Sequence, residues 1–189
     1  WKAFYRPREF IFSLGGQMCP APEHGDTGSI IGGLKTGPLA QQQRMYYDTG
    51  SEEARTYIVS PFGGYGLYYR TVMAQLGLVI LGGPGLDYAI DAPTPALGRE
   101  TAAAFRSAVA DTEYYQSFFD KDECDIPTEV IQEYISKACV CQLQTDAAPD
   151  REILRRIILT GGLAAEAEAR SKTIRLFLDI ARQTDGHAI

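Results

Sequence analysis

The chain has 189 residues, a net charge of −6 and 45% hydrophobic residues, which suits one globular domain or two small ones with a sizeable core. It contains no run of 18 apolar residues and no basic leader followed by an apolar segment, so the sequence predicts neither a membrane span nor a signal peptide. The chain opens on Trp1 rather than on Met, and we therefore expect a processed or trimmed chain or a fragment of a longer protein.

Charge is unevenly distributed along the chain. Residues 109–150 carry ten acidic and two basic side chains, and such an acidic segment repels a phosphate backbone. The charge pattern therefore disfavours non-specific nucleic-acid binding by the whole surface, whereas one locally basic face stays open as a binding surface.

The four cysteines suggest no pairing. Cys139 and Cys141 stand two residues apart on a predicted helix, where they would point to different faces. Cys19 and Cys124 lie far from them in sequence, and no Cys-x-x-Cys or Cys/His spacing is typical of a zinc site. We expect reduced thiols in a cytoplasmic protein, with neither a metal nor any other cofactor.

The N-terminal segment predicts one strand and a long loop. Residues 10–14, Phe-Ile-Phe-Ser-Leu, predict a strand that Gly15 and Gly16 end. Residues 17–38 are rich in glycine and proline and predict a loop. Residues 39–47 predict a short helix.

Three residues of that loop could support chemistry. Cys19, His24 and Asp26 are of the types that form a thiol nucleophile, its base and an orienting acid. Partners of this kind normally come from separate rigid elements, so a thiol-dependent enzyme is the alternative hypothesis rather than the first one.

Residues 60–109 form the unit around which the rest is organised. A helix is predicted from Tyr65 or Gly66 to Leu76, followed by a left-handed glycine cap at Gly77. A hairpin with strands at 78–81 and 86–91 should follow. Thr94 and Pro95 then begin a second helix through 97–109.

This order of helix, glycine, hairpin and helix resembles the back half of winged-helix domains. The resemblance implies that the first helix would be a recognition helix and that the glycine turn would be the tip of a wing. The other interpretation is an ordinary α+β core built from the same elements.

The C-terminal third predicts helices. The acidic residues 111–125 predict a linker, so we expect an α+β winged-helix-like region over 1–119 and a helical bundle region over 120–189. Helices at 128–143, 151–160 and 163–183 have short connections, which favour antiparallel packing. The predicted fold class is α+β and helix-rich, with a small β-hairpin or sheet in the first half and a C-terminal antiparallel helical bundle.

Tyrosines and arginines interleave in the middle of the chain. Seven of the eleven tyrosines fall within about forty residues, and tyrosine is enriched at interfaces. The alternative is that most of these rings line the core. The predicted binding residues are Arg44, Arg55, Tyr65, Tyr68, Tyr69 and Arg70.

The sequence therefore favours a non-enzymatic, intracellular interaction module of a larger bacterial protein or complex. A protein partner is the first expectation and duplex DNA the second, without a membrane and with any small-molecule ligand left open. The alternatives are the thiol-dependent enzyme on the 17–38 loop and a purely structural segment of an assembly.

Overall fold

The computed structural model describes residues 2–21, 24, 30–42, 44–146, 148–162 and 164–184. Over these residues the protein is a helix-rich α+β fold with two small antiparallel sheets, which confirms the predicted class. The helices are α1 (Lys2–Gly16), α2 (Gly33–Gln41), α3 (Glu52–Thr56), α4 (Arg70–Gln75), α5 (Leu97–Val109), α6 (Thr128–Ala138), α7 (Arg151–Thr160) and α8 (Ala164–Thr184). The strands are β1 (Tyr46–Asp48), β2 (Val79–Ile80), β3 (Ala92–Pro93) and β4 (Asp125–Pro127).

The chain divides into two compact units, each made of two segments. Unit 1 contains Trp1–Arg70 and Ala103–Asp150, and unit 2 contains Thr71–Ala102 and Arg151–Ile189. The boundary expected near residue 120 falls inside unit 1, where β1 pairs with β4 through Tyr47 and Ile126. Pairing of strands so distant in sequence cannot be read from local composition.

Helix α1 is the centre of unit 1 and contacts α2, α3 and α6. The strand predicted over residues 10–14 is wrong, because this segment is the C-terminal half of α1. Phe10, Ile11 and Leu14 are all buried at helical spacing. A Cβ atom added at Gly15 would lie 3.1 Å from the Cβ of Ile135, so the glycine lets α6 approach α1 closely.

The loop predicted over 17–38 and the helix predicted over 39–47 are both misplaced. Helix α2 begins within the supposed loop, directly after Gly32, whose φ of 84° is left-handed. It buries Thr36 and Leu39 and ends at Gln41. The tyrosines that follow form strand β1 instead.

Unit 2 contains the small sheet β2–β3 and the helix pair α7–α8, whose members pack on each other. The second strand predicted over 86–91 is instead a loop, and Ala92–Pro93 pairs with Val79–Ile80. The side chains that alternated in sequence, Leu86, Tyr88 and Ile90, are exposed, so their period-two pattern does not mark a buried face.

The helix predictions near residues 65, 97 and 151 are confirmed. A helical segment runs from the π-helical turn Tyr65–Tyr69 through α4, and Gly77 follows it with a φ of 74°. The Thr94 hydroxyl accepts a hydrogen bond from the Gly98 amide at the start of α5. In the described part of the chain, no helix combines the length and the apolar character needed to cross a membrane.

Candidate functional site

The π-helical turn Tyr65–Tyr69 carries three of the predicted binding residues, and its side chains do not share one environment. Tyr65 is buried, whereas Tyr68 and Tyr69 are 61% and 48% exposed. The wider π-helical turn adds a residue to the helical repeat, and such turns occur frequently at functional sites. The prediction that this segment is a surface therefore fits Tyr68 and Tyr69 and does not fit Tyr65.

The carboxylate of Glu9 fixes the turn to α1. It accepts a hydrogen bond from the backbone N–H of Tyr65 at 3.0 Å and another from the Tyr5 hydroxyl at 2.6 Å. The Tyr57 hydroxyl donates to its second oxygen. Hydrogen bonds to an ionised acceptor are stronger than neutral ones, so one side chain holds three separate parts of unit 1 together.

Gly63 makes room for that carboxylate. Its φ is 60°, and a Cβ atom added there would lie 1.9 Å from Oε2 of Glu9. Both the backbone conformation and the available space therefore require glycine at this position.

The tyrosines around Glu9 act as hydrogen-bond donors. Burial raises the pKa of the Tyr5 and Tyr57 hydroxyls well above the usual value, and the nearby Glu9 adds to the shift. The pKa of Tyr69 is raised too, by burial and then by Glu9. The Tyr5 and Tyr57 hydroxyls are protonated at neutral pH, as donation to the Glu9 carboxylate requires.

Exposed apolar side chains cluster along the same stretch. We define the aromatic turn as the four side chains in residues 62–69 that are large, apolar and about half exposed: Phe62, Leu67, Tyr68 and Tyr69. The ammonium group of Lys2 lies 5.1 Å from the centre of the Phe62 ring, within cation–π range.

Two of the three predicted arginines have acidic neighbours. Arg44 pairs with Glu53 at 3.6 Å, and Arg55 pairs with Glu123 at 2.7 Å. Arg70 is half-buried and follows the aromatic turn directly. Tyr65, Tyr68, Tyr69 and Arg70 thus share one turn, while Arg44 and Arg55 belong to other ion pairs of unit 1.

A second group of residues converges elsewhere in unit 1. The ligand atoms of Cys19, His24, Cys139 and Cys141 all lie within 4.8 Å of one another. The Cys139 sulfur is 3.1 Å from Nδ1 of His24, and the sulfurs of Cys19 and Cys141 are 3.7 Å apart. We call these four residues the Cys/His cluster.

The end of α6 brings the two C-terminal cysteines together. The helix predicted over 128–143 stops at Ala138, and Cys139 adopts an extended conformation with φ −62° and ψ 140°. A 3₁₀ helix, Val140–Gln144, then carries Cys141. The prediction that the two thiols point to different faces of one helix is wrong, because the helix ends before the first of them.

The surroundings of Cys139 and Cys141 do not activate either thiol. Burial raises the pKa of the Cys139 and Cys141 thiols, whereas a nucleophilic cysteine requires a lowered pKa. His24 contacts Cys139 rather than the proposed nucleophile Cys19. Asp26, the third member of the supposed triad, lies outside the described residues.

Comparison with known proteins gives no match. No family model, no curated protein and no solved structure shows significant similarity to the chain.

Sequence reasoning missed both Glu9 and the cluster. A single glutamate in a helix carries no local signal for its partners. The sequence shows two short spacings, Cys-x₄-His at 19–24 and Cys-x-Cys at 139–141, but neither indicates that the two pairs meet.

Proposed function

We propose that the protein is a non-enzymatic interaction module that binds a protein partner through the aromatic turn. The observation that carries the proposal is the exposure of Tyr68 and Tyr69 on a turn whose neighbour, Tyr65, is buried and tied to Glu9. Exposed aromatic side chains in a contiguous stretch are typical of interfaces rather than of free surface.

The aromatic turn is held in place by hydrogen bonds to Glu9, and a surface that is already ordered favours binding. Ordering a loop on association costs free energy, and a surface that is already fixed avoids that cost. The hydrogen bonds from Tyr5, Tyr57 and Tyr65 to Glu9 fix the backbone beneath the exposed rings. Tyrosine itself has few rotatable bonds, so Tyr68 and Tyr69 can act as rigid anchors.

Charge favours a protein over duplex DNA as the partner. Phosphate binding requires cations that release counterions, and two of the three candidate arginines, Arg44 and Arg55, already pair with glutamates. The partner should instead offer apolar side chains to the rings and hydrogen-bonding groups to the two hydroxyls.

The winged-helix-like architecture remains part of the proposal. The order of helical segment, Gly77, β2–β3 and α5 supports it, with residues 65–75 in the place of a recognition helix. Likewise, the packing of α7 on α8 supports an antiparallel helical pair in the C-terminal third. In this arrangement the aromatic turn lies at the N-terminal end of the recognition segment.

Site-specific photocrosslinking tests the proposal. A photoreactive phenylalanine analogue replaces Tyr68 in one sample and Tyr46 in another; Tyr46 is also exposed, belongs to unit 1 and lies outside the turn. We expect one protein to crosslink from position 68 and not from position 46. With that protein purified, the Tyr68→Ala/Tyr69→Ala variant should bind at least about tenfold more weakly, and Tyr46→Ala should bind normally.

Other outcomes would contradict the proposal that the aromatic turn binds a protein. Equal crosslinking from both positions, or unchanged binding by the double variant, removes the aromatic turn as the interface. A gel shift with duplex DNA that weakens steeply between about 50 and 200 mM salt, and that the double variant loses, would identify nucleic acid as the partner instead.

A further inference from the structure

We propose that Cys19, His24, Cys139 and Cys141 bind one zinc ion in a tetrahedral Cys₃His site that fastens the end of α6 to the segment after α1. This inference is independent of the proposed partner. The cluster assembles three of the four cysteines of the chain with one of its two histidines. These residues come from two regions more than one hundred positions apart in sequence.

The donor set matches zinc in number and kind. Structural zinc sites have four protein ligands, all cysteine or histidine, and leave no position open for water. Three thiolates with one imidazole are such a set. Oxygen ligands, which magnesium and calcium require, are absent from the cluster as the described residues form it.

The distances match a single ion. Zinc bonds of about 2.3 Å to sulfur and 2.0–2.1 Å to nitrogen place neighbouring sulfurs about 3.8 Å apart and sulfur and nitrogen about 3.6 Å apart in a tetrahedron. The observed separations are 3.7 Å between the Cys19 and Cys141 sulfurs and 3.1 Å between the Cys139 sulfur and His24 Nδ1. The widest separation in the cluster is at most 4.8 Å, about 1 Å more than the tetrahedral sulfur–sulfur value.

An iron–sulfur cluster and a disulfide both fit these side chains less well than a zinc ion does. An iron–sulfur cluster contains several irons bridged by sulfide, so its ligands stand around a larger body than this space allows. A disulfide between Cys19 and Cys141 would need their sulfurs to approach to about 2.05 Å. It would not explain why Cys139 and His24 lie beside the same two sulfurs. One ion accounts for all four side chains.

Without an ion, the buried polar groups of the cluster have only weak hydrogen-bond partners. Thiols are weak hydrogen-bonding groups, and Cys139 and Cys141 are buried. Burying polar groups with only weak partners costs free energy, and a bound cation would offset that cost.

A neighbour is already placed to support a thiolate ligand. The side-chain amide nitrogen of Gln142, Nε2, donates toward the Cys141 sulfur at 3.8 Å. Outer contacts of this kind orient metal ligands and strengthen binding. Gln142 is therefore a positioning residue of the site rather than a ligand.

Binding is a balanced exchange of protons for metal. Zn²⁺ forms three bonds to sulfur and one to the neutral imidazole, and the three thiols each release one proton. The bound site carries a net charge of −1 in place of three neutral thiols. No oxidant or reductant takes part.

Metal analysis of the full chain tests the proposal. The protein is purified under reducing conditions from zinc-supplemented cells, stripped with a chelator and titrated with Co²⁺. We expect one zinc per chain as purified, and on titration the visible bands of tetrahedral cobalt together with thiolate-to-cobalt charge transfer. Zinc should then displace the cobalt and bleach both signals.

The fourth cysteine provides the matched control. Cys124→Ser removes a half-buried thiol of unit 1 outside the cluster and should keep one metal per chain. Cys19→Ser should lose stoichiometric zinc, and Gln142→Ala should bind about 10–100-fold more weakly. The wild-type cobalt spectrum tests the site even if Cys19→Ser does not fold.

Three results would overturn the proposal. The first is wild-type protein that contains no zinc and gives no tetrahedral cobalt spectrum. The second is a Cys19→Ser variant that binds zinc as tightly as Cys124→Ser does. The third is a Cys19–Cys141 disulfide found by mass spectrometry in protein kept reduced.

Discussion

At the scale of single residues, Glu9 ties the backbone of the candidate interface to α1. The aromatic turn is displayed where it is because one carboxylate holds the Tyr65 amide and two tyrosine hydroxyls. Gly63 must then stay small, since a side chain there would occupy the space of the carboxylate. A binding surface here depends on a residue that is not part of it.

Replacing Glu9 by Gln should destabilise unit 1. The amide has one acceptor oxygen in place of two and adds donors that face the donating hydroxyls, so about 1–3 kcal/mol of the free energy of unfolding should be lost. Urea unfolding followed by circular dichroism measures the change. Glu52→Gln, at an exposed position of α3, is the control and should change stability by less than about 0.5 kcal/mol. Equal stability of Glu9→Gln and wild type would contradict the role given to the carboxylate.

At the scale of elements, the contact between α1 and α6 explains why residues 10–14 form a helix despite their strand-like composition. Isolated propensity is a weak preference. As a helix, this segment buries Phe10, Ile11 and Leu14 in the core to which α6 also contributes, and that burial outweighs the local preference for a strand. Conversely, residues 86–91 alternate like a strand but have no buried face, and they form a loop.

The α1–α6 contact should be sensitive to lost volume. Ile131 is fully buried on α6. One of its methyl groups would lie 3.3 Å from a Cβ atom added at Gly15. Ile131→Ala should lower the free energy of unfolding by about 2–5 kcal/mol because it leaves a cavity. Val140→Ala, an exposed position just beyond α6, should be within about 0.5 kcal/mol of wild type. Chemical denaturation of both variants measures the difference, and similar losses would argue against tight packing.

At the scale of the whole molecule, each compact unit combines segments that are distant in sequence. In unit 1 the strand pair β1–β4, the Glu9 contacts and the Cys/His cluster all join residues before 71 to each other or to residues after 102. Long-range contacts of this kind slow folding, because the entropy of closing long loops is lost before the contacts form. Once formed, they hold distant chain segments together.

Stability should fall at alkaline pH. Burial raises the pKa of Tyr57, Tyr114 and Tyr134 above the value of about 10 that unfolded tyrosine has. The folded state therefore keeps protons that the unfolded state releases. The stability that these groups contribute is full below about pH 10 and is lost as the pH rises toward the folded-state pKa values, by at most about 1.4 kcal/mol per pH unit for each tyrosine.

Urea midpoints measured between about pH 8 and about pH 11 test this dependence. Tyr134→Phe removes one buried hydroxyl and should make the alkaline decline shallower, whereas Tyr46→Phe, at an exposed ring, should leave it unchanged. Identical declines for Tyr134→Phe and wild type would show that Tyr134 does not titrate as a buried group.

The sequence by itself determined the helix-rich α+β class, the helical segment ahead of Gly77 and the helices that begin near residues 97 and 151. Each of these follows from local patterns of apolar spacing, caps and glycine that few distant contacts override. Only the tertiary structure decided that residues 10–14 are helical, that Tyr65 turns inward while Tyr68 and Tyr69 face outward, and that Cys19 and His24 meet Cys139 and Cys141. Those outcomes depend on contacts between remote segments, and local patterns along a chain do not encode which remote segments will meet.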